Sequence, residues 1–182
     1  MEQKKNILVI TGSPRRGGNS SLLADAFIRG AEDMGHMITR FNAGHKQIKG
    51  CTACNKCYSK DTACVFKDDF NGLAPALESA ELVAFITPLY WFTFPTQIKA
   101  AIDKMYALGI GGRNLKGKET MLLVCAETDD MTDFDGIVRS YELTNRYLKW
   151  ADKGILLVPE VNNAGDILNT DALIKAEQMG SR

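Results

Sequence analysis

The sequence predicts a three-layer α/β fold: a five-stranded parallel sheet in the order 2-1-3-4-5, covered by helices on both faces, in a single domain over residues 1–182. Three observations predict it. Five short apolar runs alternate with stretches of helical period. The runs are continuously apolar, as in parallel strands buried on both faces. Five strand–helix units in 182 residues leave room for one core of good size and no second domain.

The elements follow in order. ILVITG (7–12) is the first strand, and a helix covers about 19–34. MITRFN (37–42) is the second strand, and a long irregular insert, about 43–69, follows it. A loop of that length ordinarily carries a function or a special constraint. A helix at 70–80 leads to LVAFITP (82–88), the third strand. In the next helix, 95–108, Ile98, Ala101, Ile102 and Met105 share one face, with Lys99, Asp103 and Lys104 on the other. TMLLVCA (120–126) is the fourth strand. A helix over 134–151 follows, with the stripe Ile137, Tyr141, Thr144 and Leu148. GILLVPEV (154–161) is the fifth strand, and 170–180 the last helix. Both helical stripes fit core packing. Sheets of this kind bind ligands beyond the carboxyl ends of their strands, at the switch between strands 1 and 3.

Composition narrows the function. Lys+Arg and Asp+Glu are both 22, so the net charge is zero, which argues against a nucleic-acid binder. No run approaches the roughly 18 apolar residues of a membrane span. MEQKKN leads straight into a strand, without the apolar region of a signal peptide, so a cytoplasmic protein is expected. In that reducing setting the five cysteines suggest thiols or metal ligands rather than structural disulfides. His36 and His45 lie near no nucleophile motif and fit a surface role, and no G-x-S-x-G is present. Asp68-Asp69, just before a helix, suit capping and dipole roles.

The first strand leaves through TGSPRRGGNSS (11–21). A strand, a Gly/Ser-rich turn and a helix start make an anion site, since free N–H groups and the helix dipole converge there. Ser13, Asn19, Ser20 and Ser21 can add donors, and Arg15 and Arg16 can add charge. Gly12 and Gly17 have the spacing of a Walker A loop, but Gly18 and Asn19 stand where that loop needs Lys and Ser/Thr. Ser13-Pro14 after Gly12 breaks the dinucleotide fingerprint G-x-G-x-x-G. A monophosphate bound without metal survives both tests, against the alternative of a simple Asn/Ser-capped helix.

After strand 3, TPLYWFTFP (87–95) crowds Tyr90, Trp91, Phe92 and Phe94 beside that turn, between Pro88 and Pro95. Flat rings and exposed backbone groups suit a planar heteroaromatic ligand. A phosphate at the first loop and a planar ring at the third describe FMN.

These loops, with GCTACNKC after strand 2, DDF at 68–70, AELVAFITPLYWF, QIKAAIDK at 97–104 and GDI at 165–167, resemble the NAD(P)H-dependent FMN reductase branch of the flavodoxin-like proteins. The resemblance runs in order through nearly the whole chain. It implies that Ser13, Arg15, Asn19, Ser20 and Ser21 contact the FMN phosphate. It implies that Pro88, Leu89, Tyr90, Trp91 and Phe92 line the flavin and ribityl chain, and that Ala126, Glu127 and Thr128 form a third wall. That last loop reads AETDD here, more acidic than the family's usual turn, and it opens the acidic run ETDDMTDFD (127–135). The resemblance also implies a homodimer or homotetramer with the flavin near a subunit interface. The 43–69 insert and the aromatic loop are the expected contact surfaces.

Cys51, Cys54, Cys57 and Cys64 are spaced C-x2-C-x2-C-x6-C. The motif is similar to that of iron–sulfur flavoproteins in the same superfamily, which pair FMN with a [4Fe–4S] cluster. Free thiols, a structural zinc and a disulfide are the alternatives. Cys125, within an apolar strand, fits a packed core residue.

The expected function is an FMN-dependent oxidoreductase that takes hydride from NAD(P)H and reduces a small acceptor: a quinone, a nitro or azo compound, or free flavin. No residue of the protein need act as acid, base or nucleophile, because the cofactor carries the chemistry. The alternative is an electron carrier with a [4Fe–4S] cluster on the four cysteines, since zero net charge disfavours a simple acidic carrier.

Overall fold

A computed structural model describes residues 4–182 of the chain. The part of the single-domain expectation covering residues 1–3 lies outside the described residues. The five parallel strands are β1 (Asn6–Thr11), β2 (Met37–Asn42), β3 (Leu82–Pro88), β4 (Glu119–Cys125) and β5 (Ala151–Val158), and they stand in the order 2-1-3-4-5. The helices are α1 (Asn19–Asp33), α2 (Phe70–Ser79), α3 (Thr96–Lys104), α4 (Tyr106–Ile110), α5 (Asp135–Leu148) and α6 (Ala172–Gly180). This is the predicted flavodoxin-like arrangement.

Alternation along the central strands divides the core in two. Leu8, Ile10, Val83, Phe85, Leu122 and Val124 face the layer that supplies Leu73, Leu77, Ile98, Ala101 and Ile137. Ile7, Val9, Leu82, Ala84, Ile86 and Leu123 face the layer that supplies Leu23, Phe27, Ala172 and Ala176. Each strand residue therefore serves one face, and β1, β3 and β4 are buried on both. The outer strands β2 and β5 are only partly covered, as sheet edges are.

Four sequence expectations change. β5 starts three residues earlier than GILLVPEV, at Ala151, and stops at Val158 before Pro159. The helix over 95–108 is two helices that break at Met105, which serves as the C-terminal cap of α3. His36 is buried rather than on the surface; its Nδ1 accepts the Lys5 N–H at 3.1 Å, and its Nε2 finds no partner among the described residues. Lys104, placed on the outer face of its helix by periodicity, is 2% exposed. The reason is the 43–69 insert, which folds over that face. Asp68 anchors it: Oδ2 accepts the Lys49 N–H at 3.0 Å and pairs with the Lys104 ammonium, while Oδ1 accepts the Phe70 N–H at 3.2 Å. Asp69 accepts the Gln47 N–H at 2.7 Å. The two aspartates thus do more than cap α2; they staple the insert to it.

Candidate functional site

Beyond the carboxyl ends of β1, β3 and β4 three loops meet, and Gly12 is why they can. A Cβ at Gly12 would overlap Thr87 Oγ1 and lie 2.8 Å from Ile98 Cδ1 and 3.0 Å from Pro95 Cγ. The turn after β1 and the aromatic loop therefore touch at a position that admits no side chain.

The turn 12–18 opens onto the N-terminus of α1. Gly18 is the N-cap, and no side chain caps it. The Ser21 N–H donates back to the Gly18 carbonyl at 2.9 Å, but the Asn19 and Ser20 N–H groups have no acceptor among the described residues and remain available to an anion, so the simple capped-helix alternative does not hold. A cleft of about 490 Å³ lies over this terminus, lined by Ser13, Arg15, Arg16, Ser20 and Ser21. Neither Arg15 nor Arg16 pairs with an acid among the described residues.

Asn19 is turned elsewhere. Its Nδ2 donates to the Asn163 carbonyl at 2.8 Å, and its Oδ1 accepts the Gly165 N–H at 3.0 Å. The amide ties α1 to the 163–167 loop, so the GDI motif buttresses the turn and only the Asn19 backbone N–H can face an anion.

Sequence reasoning missed one wall of the cleft, the end of β2. Arg40, Asn42, His45 and Lys46 line it. Arg40 pairs with Asp25, donates through Nε to Asn42 Oδ1 at 2.8 Å and through Nη2 to Ser21 Oγ at 3.2 Å. Asn42 Oδ1 also accepts the Thr11 hydroxyl at 2.8 Å. Because Ser21 Oγ accepts from a guanidinium, its own proton is free to donate into the cleft. The signal was present: strand 2 flanks strand 1, so a basic residue near its carboxyl end falls beside the turn. Arg40→Ala is expected to weaken FMN binding about tenfold while leaving riboflavin binding unchanged, as read by parallel fluorescence titrations; about 1.4 kcal/mol separates the two.

The aromatic loop is a tight hairpin. Tyr90 N–H donates to the Thr93 carbonyl and Thr93 N–H to the Tyr90 carbonyl, each at 3.1 Å. Trp91 (φ 45°) and Phe92 (φ 62°) take the two left-handed positions that ordinarily call for Asn-Gly. Trp91 is 90% exposed. Two bulky residues held in strained backbone, with rings in water, mark a functional rather than a structural choice. Replacing Trp91-Phe92 by Asn-Gly is expected to raise stability by roughly 1–2 kcal/mol in urea unfolding and to weaken flavin binding. Before the hairpin, Pro88 and Leu89 are half-buried, and Leu89 N–H donates to the Cys125 carbonyl at 2.9 Å.

The third loop closes the same end of the sheet. Ala126 N–H donates to the Val158 carbonyl at 3.0 Å, and Val161 N–H to the Ala126 carbonyl at 2.9 Å. Thr128 Oγ1 donates to Asp133 at 2.6 Å and accepts the Asp130 N–H at 3.1 Å, so its hydroxyl is committed to ordering the acidic run. Glu127 is exposed.

A separate cavity gathers Cys51, Cys54, Cys57 and Cys64, with Lys104 and Tyr106 in its wall. All four thiols are free. Burial pushes the Cys57 thiol up, and the neighbouring Cys64, Cys51 and Cys54 sulfurs push it further. The Lys56 backbone N–H holds the Cys54 thiol below its usual value. Among the described residues no three His, Cys, Asp or Glu side chains converge as a single metal ion requires. Four thiolates are a donor set that either a four-iron cluster or a structural zinc can use. The cavity is about 20 Å³, and Ala53 and Asn55 on its rim are exposed. Cys125 lies apart in β4, where burial pushes its thiol up to about 12.

Comparison with known proteins fits this geometry. Residues 5–138 match the family described as NADPH-dependent FMN reductase. The chain is 33% identical over 181 residues to an iron–sulfur flavoprotein of Archaeoglobus fulgidus, covering 95% of this chain and 76% of that one. It is 28% identical over 109 residues to an iron–sulfur flavoprotein of Methanosarcina thermophila, covering 60% of this chain and 56% of that one. In fold it is similar to an NAD(P)H:quinone oxidoreductase from Methanothermobacter marburgensis: TM-score 0.75, 17% identity, 98% and 96% of the two chains. It is likewise similar to an FMN-dependent NADH-azoreductase from Bacillus anthracis in complex with FMN: TM-score 0.72, 16% identity, 97% and 98% of the chains.

Proposed function

The chain belongs to the NADPH-dependent FMN reductase family, and from that premise we propose that it passes reducing equivalents from NAD(P)H to a small acceptor such as a quinone, a nitro or azo compound, or free flavin. The observation that carries this is the contact of the two loops at Gly12, which sets an uncapped helix terminus beside an exposed aromatic hairpin. The residues fit FMN. Ser13, Ser20, Ser21, Arg15 and the N–H groups of Asn19 and Ser20 hold the phosphate, and Arg40 adds charge and aims Ser21. Pro88, Leu89, Tyr90, Trp91 and Phe92 flank the ring, and Ala126, Glu127 and Thr128 form the far wall. When bound, FMN supplies the hydride chemistry. The chain's own residues hold the ring and leave one face open to a nicotinamide and then to the acceptor. The Trp91, Phe92, Glu127 and Thr128 N–H groups, which have no acceptor among the described residues, are suited to stabilising negative charge at the ring edge.

One open face serving two substrates in turn gives a ping-pong cycle. Steady-state rates with donor and acceptor varied together are expected to give parallel double-reciprocal lines; intersecting lines would contradict a shared site.

The four-cysteine cavity favours a second reading, in which Cys51, Cys54, Cys57 and Cys64 hold a [4Fe–4S] cluster that exchanges electrons with the flavin. The A. fulgidus and M. thermophila relatives are named iron–sulfur flavoproteins. Iron and sulfide analysis of anaerobically purified protein tests it. We further propose a homodimer or homotetramer in contact through the insert and the hairpin, where Phe66 of the insert and Tyr90, Trp91 and Phe92 of the hairpin are exposed. Sedimentation velocity reads that state. Among the described residues no helix is long and apolar enough to cross a membrane.

A further inference from the structure

Lys104 is a buried cation with too few partners. Its side chain is 2% exposed, yet its ammonium finds one acceptor among the described residues, Asp68. A lysine ammonium has three protons to donate, and leaving buried donors unmatched is costly. The Phe70 ring, 5.8 Å away, offers only a weak further contact. Asp68 does not need Lys104 to be satisfied, because the Lys49 and Phe70 N–H groups already donate to it. Lys104 also forms part of the wall of the cavity that Cys51, Cys54, Cys57 and Cys64 line, and Asp68 does not. The other lysines of that loop, Lys56, Lys60 and Lys67, are exposed.

We propose that Lys104 is the fixed counter-cation of the four-cysteine cavity, donating to the sulfur-rich anion held there and setting its reduction potential. The inference rests on the cluster reading above. Reduction of a [4Fe–4S] couple adds one electron and no proton, so the site becomes more negative by one charge. A buried ammonium beside it favours the reduced form and moves the potential upward. Lys104 is thus a positioning and tuning residue, and the cysteines remain the ligands.

The test reconstitutes the full chain anaerobically with ferrous iron and sulfide and titrates it with dithionite, following the reduced cluster by electron paramagnetic resonance. Lys104→Met combined with Asp68→Asn removes the ammonium without stranding a buried carboxylate, and its potential is expected to fall below that of the wild type. Asp68→Asn alone removes the anion that offsets Lys104, and its potential is expected to rise. A merely structural role would not move the two in opposite directions. A double variant with the wild-type potential overturns the inference while leaving the cluster in place. Wild-type protein that takes up no iron and sulfide overturns the cluster reading and the inference together. If the double variant does not fold, judged by circular dichroism and FMN content, Asp68→Asn decides alone: an upward shift supports the inference and an unmoved potential overturns it.

Discussion

Gly12→Val is expected to weaken FMN binding by at least about 100-fold, read as the loss of flavin-fluorescence quenching in titration. The branched side chain must find room where even a Cβ would overlap Thr87 Oγ1 and crowd Ile98 and Pro95. Overpacking of this kind costs roughly 1–3 kcal/mol when the neighbours can yield. Here the neighbours are Thr87, the penultimate residue of β3, and Pro95, which caps α3, and both are fixed by the sheet and helix they belong to. The least costly response is for the phosphate turn to lift away from the hairpin. That separates the two halves of the binding site, and a loss of about 2.7 kcal/mol corresponds to the 100-fold change. The core is otherwise untouched, so the variant is expected to fold with a lowered Tm. Wild-type affinity in a folded Gly12→Val protein would show that the two loops do not bind one ligand.

Lys104→Met is expected to destabilise the protein by about 3 kcal/mol in urea unfolding, and adding Asp68→Asn is expected to restore most of that loss. Breaking a buried ion pair from one side leaves the partner's charge in a poor dielectric, typically at a cost of 3–5 kcal/mol. The lower end is expected because the Lys49 and Phe70 N–H groups still donate to Asp68. Neutralising both partners removes the stranded charge, and such replacements are often neutral. The effect reports how firmly the 43–69 insert is held to α2 and α3. A single variant as stable as the wild type would mean that the insert is anchored elsewhere.

The sheet and its order were legible because the central strands carry unbroken apolar runs that only burial on both faces explains. Leu8 to Ile10 and Val83 to Ile86 announced themselves without tertiary information. What the turn after β1 does not hold was legible by elimination, since Gly18 and Asn19 rule out a nucleotide triphosphate loop. Other features depend on contacts that no local pattern encodes. Periodicity put Lys104 outward because α3 alone is amphipathic; the insert that covers it lies more than thirty residues away in sequence. Asn19 looked like a phosphate ligand because its role depends on a loop at 163–167. Arg40 joins the site only through strand register, which sets Thr11 beside Asn42. The left-handed pair Trp91-Phe92 defies the usual turn chemistry, and a residue chosen against local preference is legible only as a place where function overrides it.

The most direct test of the phosphate-and-ring site is a side-by-side titration of the flavin-free protein with FMN and with riboflavin, which differ only in the phosphate. Binding of FMN that is tighter by two orders of magnitude or more, and that weakens as salt is raised, is the predicted result, because the α1 terminus and the arginines around it act on the phosphate alone. Equal affinity for the two flavins, or no uptake of either, would contradict it.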